Sequence, residues 1–258
     1  MDRISFWPAF MLSKPQSNVL VFEAPEQVAL AAAERFVAHA QESNSNHGRF
    51  SVALSGGNTP RRMYELLATE QFMGRVAWSN VHIFFGDERT VPRDHPDSNY
   101  RLAHDALISR VPIPPDNVHP INGAGDPVVN AHHYERELKS FFPDSEWPRF
   151  DLVLLGLGKD GHTASLFPGT NALSERRAWV VANWVNALQT YRITLTAPAI
   201  NAAVNVEVLV TGADKAPALA AVLNGPYDPE QLPAQLIKPM SGSLTWLADA
   251  HAASLLKK

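Results

Sequence analysis

Short, mostly apolar runs punctuate the chain at Val19 to Phe22, Phe50 to Leu54, Val81 to Phe85, Leu152 to Leu155 and Val206 to Val210. All are too short for buried helices and read as strands. Leu152 to Leu155 is apolar enough to predict a strand covered on both faces, as in a parallel sheet, and Val206 to Val210 reads as another buried strand. Between them the pattern changes to helical spacing. Pro25 opens a helix through Ala29 to Ala33, Phe36 and Val37 to about Gln41, followed by a polar loop from Glu42 to Gly48. Thr59 reads as an N-cap and Pro60 as a first helical residue, predicting a helix from Pro60 to about Ala68. Further helices are expected near Ser98 to Ile108, Val128 to Phe141 and Lys215 to Leu223. Ala178 to Trp184 and Arg192 to Thr196 read as additional strands; Pro233 to Lys238 and Leu244 to Leu247 close the chain before a short terminal helix. Strands alternating with helices predict an α/β protein with a mostly parallel sheet. No linker forces a division, so residues 19–258 are expected to form a single α/β domain behind a loose extension, residues 1–18. Pro8 interrupts the apolar residues of that extension, which argues against a signal peptide, and Met11 can serve as the true start.

Four of the predicted strands end in loops of similar character: Ser55 to Thr59, Gly86 to Arg89, Gly156 to His162 and Gly212 to Lys215. In a parallel sheet these ends share one edge, the edge where ligands bind. The first loop, Ser55-Gly56-Gly57-Asn58-Thr59, leads into a helix whose free N–H groups suit an anion, although an ordinary capped turn looks the same. It lacks the G-K-[ST] ending of a nucleoside-triphosphate loop. Lys215 and Arg192 are candidate cations for the same anion, or else solvated surface residues. Asp160 and His162 flank Gly161, a spacing that lets a carboxylate orient an imidazole, the usual general base near neutral pH. Arg89 stands with Asp87 and Glu88, either as an ion-pair member or as a group that offsets charge on a substrate oxygen.

Other chemistries lose support. Gly156-x-Gly158-x-x-Gly161 matches the dinucleotide fingerprint formally, but Ser165-Leu166-Phe167-Pro168-Gly169 stops a helix early, and no carboxylate stands about 20 residues on. No Gly-x-Ser-x-Gly elbow marks a serine hydrolase. His132 and His133 lack zinc-ligand spacing. The formal net charge of −4 gives no electrostatic footprint for nucleic acid, and zero cysteines exclude disulfides and thiolate chemistry, fitting a cytoplasmic protein. Hydrophobic content of 45% and charged content of 19% are ordinary for a globular chain, and no apolar run approaches the ~20 residues of a membrane span. A monomer or weak oligomer is expected.

Together, Ser55-Gly-Gly-Asn-Thr-Pro60, Gly86-Asp-Glu-Arg89, Asp97-Ser-Asn-Tyr100, Gly156-Leu-Gly-Lys-Asp-Gly-His-Thr-Ala-Ser-Leu-Phe-Pro-Gly169 and Thr211-Gly-Ala-Asp-Lys-Ala216 resemble the 6-phosphogluconolactonase family, from about Val19 to the C-terminus. The long histidine-bearing motif is specific; the first and last are shared with glucosamine-6-phosphate deaminases. The resemblance implies a Rossmann-like fold with helices on both faces, and hydrolysis of a phosphorylated sugar lactone without organic cofactor or metal. It implies His162 as the base activating water, Asp160 beside it and Arg89 stabilising charge on the lactone carbonyl. Ser55, Gly56, Gly57, Asn58 and Thr59, with Asp87, Arg192 and Lys215, would hold the substrate. One departure concerns the loop before Arg192, where the family often has a proline pair and this chain has Gln189-Thr190-Tyr191. Two alternatives remain beside it. A deaminase needs a ring-opening glutamate five residues beyond the histidine, where this chain has Phe167. A sugar-phosphate sensor would be expected to carry a separate DNA-binding segment, for which the N-terminal stretch offers no room.

Overall fold

The computed structural model describes residues 18–257. The expected extension and the alternative start at Met11 lie outside the described residues, apart from Asn18, which already belongs to the first strand. The strands are β1 (Asn18–Phe22), β2 (Phe50–Leu54), β3 (Val81–Phe85), β4 (Asp87–Arg89), β5 (Leu152–Gly156), β6 (Val180–Val185), β7 (Thr190–Leu195), β8 (Asn205–Val210) and β9 (Ser243–Asp249). The helices are α1 (Pro25–His47), α2 (Asn58–Leu67), α3 (Glu70–Met73), α4 (Asn99–Ala106), α5 (Pro127–Phe141), α6 (Ala197–Asn201) and α7 (Ala216–Asn224).

A 6-stranded parallel sheet in the order β1-β9-β8-β5-β2-β3 forms the centre. Every residue of β2 is buried, as are Leu152, Val153, Leu154 and Leu155 of β5, so both faces of these strands are covered. Burying each such aliphatic side chain contributes about 1.5–3 kcal/mol, which makes the middle of the sheet a stiff platform for the loops at its edge. Phe36 of α1 meets Phe50 edge-on at 5.1 Å, and Phe84 of β3 meets Phe150 at 5.4 Å. A separate antiparallel sheet, β4-β7-β6, leans over the carboxyl end of β3.

Four sequence expectations are corrected. Gly86 to Arg89 is not a simple loop: Asp87, Glu88 and Arg89 form β4, paired with Thr194, Ile193 and Arg192. Three charged or acidic residues carry no strand signal of their own, and the partner strand supplies it. α1 runs six residues past Gln41, through the polar stretch expected as a loop. Tertiary contacts hold that tail: Asn80 donates to Asn44 Oδ1, and His47 pairs with Asp151 at 2.9 Å. Gly48 then ends the helix at φ 78°, a conformation that glycine adopts without strain. α2 begins at Asn58 with Gly57 at its N-cap, so Thr59 is not the cap. The expected terminal helix is a run of turns after β9.

Candidate active site

β8, β5, β2 and β3 are consecutive in the sheet, so the loops leaving their carboxyl ends meet. They enclose a cavity of about 860 Å³ lined by every site residue expected from the sequence: Ser55, Gly56, Gly57, Asn58, Thr59, Asp87, Arg89, Asp160, His162, Arg192 and Lys215. Two buried tyrosines set the strand ends. Tyr64 donates to the Ser55 carbonyl at 2.8 Å and accepts from the Ser55 N–H; Tyr134 does the same for Phe85. Burial raises both phenols well above the usual tyrosine pKa, so they remain neutral clamps.

The loop after β2 turns at Gly57, whose φ of 111° is open to glycine. The first N–H groups of α2 have no side-chain cap, and Gly57, Asn58 and Thr59 line the cavity. Thr59 instead bonds Thr211 of the β8 loop at 2.6 Å, joining two walls of the cavity. The Ser55 hydroxyl is buried and unpartnered. Lys159 is engaged by Asp214 at 3.3 Å, whereas Lys215 has no carboxylate partner among the described residues.

The loop after β5 carries the imidazole–carboxylate pair. His162 Nδ1 lies 2.5 Å from Asp160 Oδ1, and the His162 N–H donates to the same oxygen at 3.2 Å. With Nδ1–H donating, Nε2 keeps its lone pair, and it makes no hydrogen bond among the described residues. The ring stacks on Phe167 with centroids 4.1 Å apart. Burial raises the Asp160 pKa, but the His162 hydrogen bond, the imidazole charge and the backbone N–H outweigh it. The carboxyl therefore lies below its ordinary value. A folded-state pKa below the unfolded one stabilises the protein above about pH 4, and that contribution disappears as pH falls through the lowered value. The Tm difference between wild type and Asp160→Asn is therefore expected to shrink in acid below about pH 4. A pH-independent difference would contradict the charged pairing.

Arg89 of β4 and Arg192 of β7, which also line the cavity, are cross-strand neighbours. Arg89 donates to the Asp97 carbonyl, and Arg192 donates to the Tyr191 carbonyl at 3.1 Å. Neither has a carboxylate ion pair among the described residues. Burial, then the Arg89 guanidinium, pushes the Arg192 pKa below its usual value, while Asp87 pulls the other way. Like charges set opposite each other across a ladder are unfavourable, and a bound anion relieves that cost. The path of the loop before Arg192 is a hairpin tip: Asn186 to Leu188 form a short turn of 3-10 helix, and Gln189 sits at φ 50°.

Asp87 lines the cavity, yet both its carboxylate oxygens accept internal bonds, from Asn99 Nδ2 at 3.1 Å and Ser165 Oγ at 2.6 Å. Asn99 and Ser165 are cavity residues that sequence reasoning did not single out. Asn99 Oδ1 is buried and unpartnered, directly beneath Gly56, where an added Cβ would lie 1.9 Å from it. The Asp97 to Tyr100 motif held the signal for Asn99. Glu88, beside Arg89, accepts from the N–H groups of Arg89, Asn99 and Tyr100 and from Ser98 Oγ, tying β4 to the start of α4.

A parallel sheet whose edge loops bring an imidazole–carboxylate pair into one cavity with Arg89, Arg192 and Lys215 defines an α/β protein with a charged pocket at the carboxyl ends of its strands. The model for glucosamine-6-phosphate isomerases/6-phosphogluconolactonase matches residues 23–246. The chain is 45% identical over 216 residues to a 6-phosphogluconolactonase of Synechocystis sp., covering 83% of this chain and 87% of that protein. It is 42% identical over 237 residues to a 6-phosphogluconolactonase of Nostoc sp., covering 90% and 96%. The structure of 6-phosphogluconolactonase from Trypanosoma cruzi has a TM-score of 0.83 at 30% identity, covering 95% of this chain and 99% of that one. The chain belongs to the family of glucosamine-6-phosphate isomerases and 6-phosphogluconolactonases.

Proposed function

We propose that the protein hydrolyses 6-phospho-D-glucono-1,5-lactone to 6-phospho-D-gluconate, the second step of the oxidative pentose phosphate pathway. One observation carries the reading: an imidazole held through Nδ1 by Asp160, its Nε2 without a hydrogen bond among the described residues, lines the same cavity as Arg89, Arg192 and Lys215. In this mechanism Nε2 takes a proton from water as the oxygen attacks the lactone carbonyl. Arg89 offsets the charge that develops on the carbonyl oxygen. Collapse of the tetrahedral intermediate breaks the bond to the ring oxygen, which takes the proton back from the imidazolium. The N–H groups at the start of α2, the Ser55 to Thr59 loop and Lys215 hold the phosphate, with Arg192 beside them. Asp87 acts by fixing Asn99 and Ser165. Phosphate binding thus orients a ring that reacts some distance away.

Phe167 supports this reading over an amino-sugar deaminase, because the position of the ring-opening acid is filled by a phenyl ring packed on the imidazole. Residues 19–258 act as one domain, in the cytoplasm, as a monomer or weak oligomer, with neither nucleic acid nor membrane as partner. The net charge of −4 and the absence of cysteine support this, and no helix among the described residues is long and apolar enough to cross a membrane. The direct test uses lactone generated in situ from glucose 6-phosphate, which also decays spontaneously. The purified protein is expected to accelerate the decay, and a rate equal to the background would defeat the proposal. Lys215→Ala should chiefly raise KM, since it removes binding shared by substrate and transition state; an effect confined to kcat would argue against phosphate holding.

A further inference from the structure

Behind the base-bearing loop lies a segment that no part of the chemistry described so far uses. Residues 226–236 leave the end of α7, fold into a compact turn and return to the back of Gly161. The turn is closed internally by Leu232 N–H donating to the Asp228 carbonyl at 2.8 Å and Gln235 N–H donating to the Leu232 carbonyl at 2.9 Å. At its centre is the buried amide of Gln235. Its Oε1 accepts from Asp228 N–H at 2.7 Å, and its Nε2 reaches the carbonyls of Pro226, Ala221 and Val222 at 2.9, 3.3 and 3.4 Å. The last two carbonyls belong to α7, the helix that begins immediately after Lys215. The Gln235 side chain therefore fastens the turn to the helix that begins right after Lys215.

The other side of the turn presses on the catalytic loop. Ala234 N–H donates to the Gly161 carbonyl at 2.9 Å, and Gly169 N–H donates to the Glu230 carbonyl at 3.1 Å, bracketing His162 from both directions along the chain. Leu232 fills the space behind Gly161: a Cβ added there would lie 2.8 Å from Leu232 Cδ2 and 3.2 Å from its Cα. On the cavity side, a Cβ at Gly158 would lie 2.1 Å from His162 Nδ1 and 2.6 Å from Asp160 Oδ1. The glycine loop is thus held between the imidazole–carboxylate pair and Leu232, with no room to move backward.

We infer that Leu232 and the Gln235-centred turn are positioning residues for the base, setting the height of His162 relative to the helix that follows Lys215. The inference rests on His162 being the base, and it concerns geometry rather than binding. Its signature is a loss of kcat without loss of ligand affinity, because a displacement of about 1 Å near the reacting atoms costs on the order of 10² in rate.

The test compares Leu232→Ala and Leu232→Met with wild type. Leu232→Ala is expected to lower kcat by about 10- to 100-fold with KM changed by no more than about threefold, while Leu232→Met, of similar volume, restores most of the rate. The 15N signals of the His162 imidazole, identified by their absence in His162→Gln, should shift in Leu232→Ala and return in Leu232→Met. Thermal unfolding checks that both variants are folded at the assay temperature. A folded Leu232→Ala with wild-type kcat and unshifted imidazole signals overturns the inference. So does a rate loss that follows the unfolded fraction or that Leu232→Met fails to restore. If wild type itself does not hydrolyse the lactone, the functional proposal fails on its own, and the imidazole signals in the two Leu232 variants still decide this one.

Discussion

Replacing His162 by alanine is expected to slow lactone hydrolysis by about 10²–10⁴-fold while leaving affinity for 6-phosphogluconate nearly unchanged. The size follows from what the substitution removes. Nδ1 is tied to Asp160, so the only proton acceptor that the ring offers the cavity is Nε2. The lactone is an activated ester, and water adds to it slowly without a base, so the residual rate should reflect binding and charge stabilisation alone. Affinity should persist because the elements proposed to hold the phosphate, the α2 N-terminus and Lys215, follow β2 and β8 rather than lying on the loop of His162. Initial rates above the spontaneous decay, paired with calorimetric binding of the product, separate the two effects. Unchanged turnover would remove the assignment of His162.

Gly158→Ala should be nearly as damaging, although it adds one methyl group and no charge. The new Cβ would lie 2.1 Å from His162 Nδ1 and 2.6 Å from Asp160 Oδ1, well inside van der Waals contact. Backbone retreat is blocked because Gly158 N–H donates to the His162 carbonyl at 2.8 Å and Gly161 N–H donates to the Gly158 carbonyl at 3.1 Å. The side chains must yield, separating the carboxylate from the imidazole and turning Nε2 away from the substrate. A misplacement of that order costs about 10² in kcat, with KM little changed. Leu152 to Leu155 of β5 are buried and should be unaffected, so the fold should survive. A variant with wild-type kcat would mean that the close packing of the pair has no bearing on the reaction.

The parts of this site that could be read from the sequence are those where local pattern and tertiary role agree. The apolar runs at Phe50 to Leu54, Leu152 to Leu155 and Val206 to Val210 became adjacent parallel strands, so the loops after them met as a parallel sheet requires. Thr59 shows where the reading stops. Its capping propensity is real, but Gly57 can turn two residues earlier, and the hydroxyl is worth more as a bridge to Thr211. β4 exists only because β7 lies beside it, and the tail of α1 only because Asn80 and Asp151 receive it. The roles of Asn99, Ser165 and Gln235 were illegible for a related reason. Their polar ends bond groups distant in the chain, such as Asp87 and the carbonyls of α7, and no spacing rule encodes such partners. The resemblance carried the Asp97 to Tyr100 motif into view without saying what it does; the structure shows Asn99 under Gly56 and its neighbours hydrogen-bonded to Glu88.

The central claim is geometric: one sugar phosphate spans the cavity, with its phosphate at α2 and Lys215 and its C1 carbon at His162. A crystal structure of the protein with 6-phosphogluconate bound tests it most directly. The account predicts the phosphate against the N–H groups of Asn58 and Thr59 and the Lys215 ammonium, and a C1 carboxylate oxygen within about 3.2 Å of His162 Nε2. A product lying with its phosphate elsewhere, or with C1 turned away from the imidazole, would contradict it.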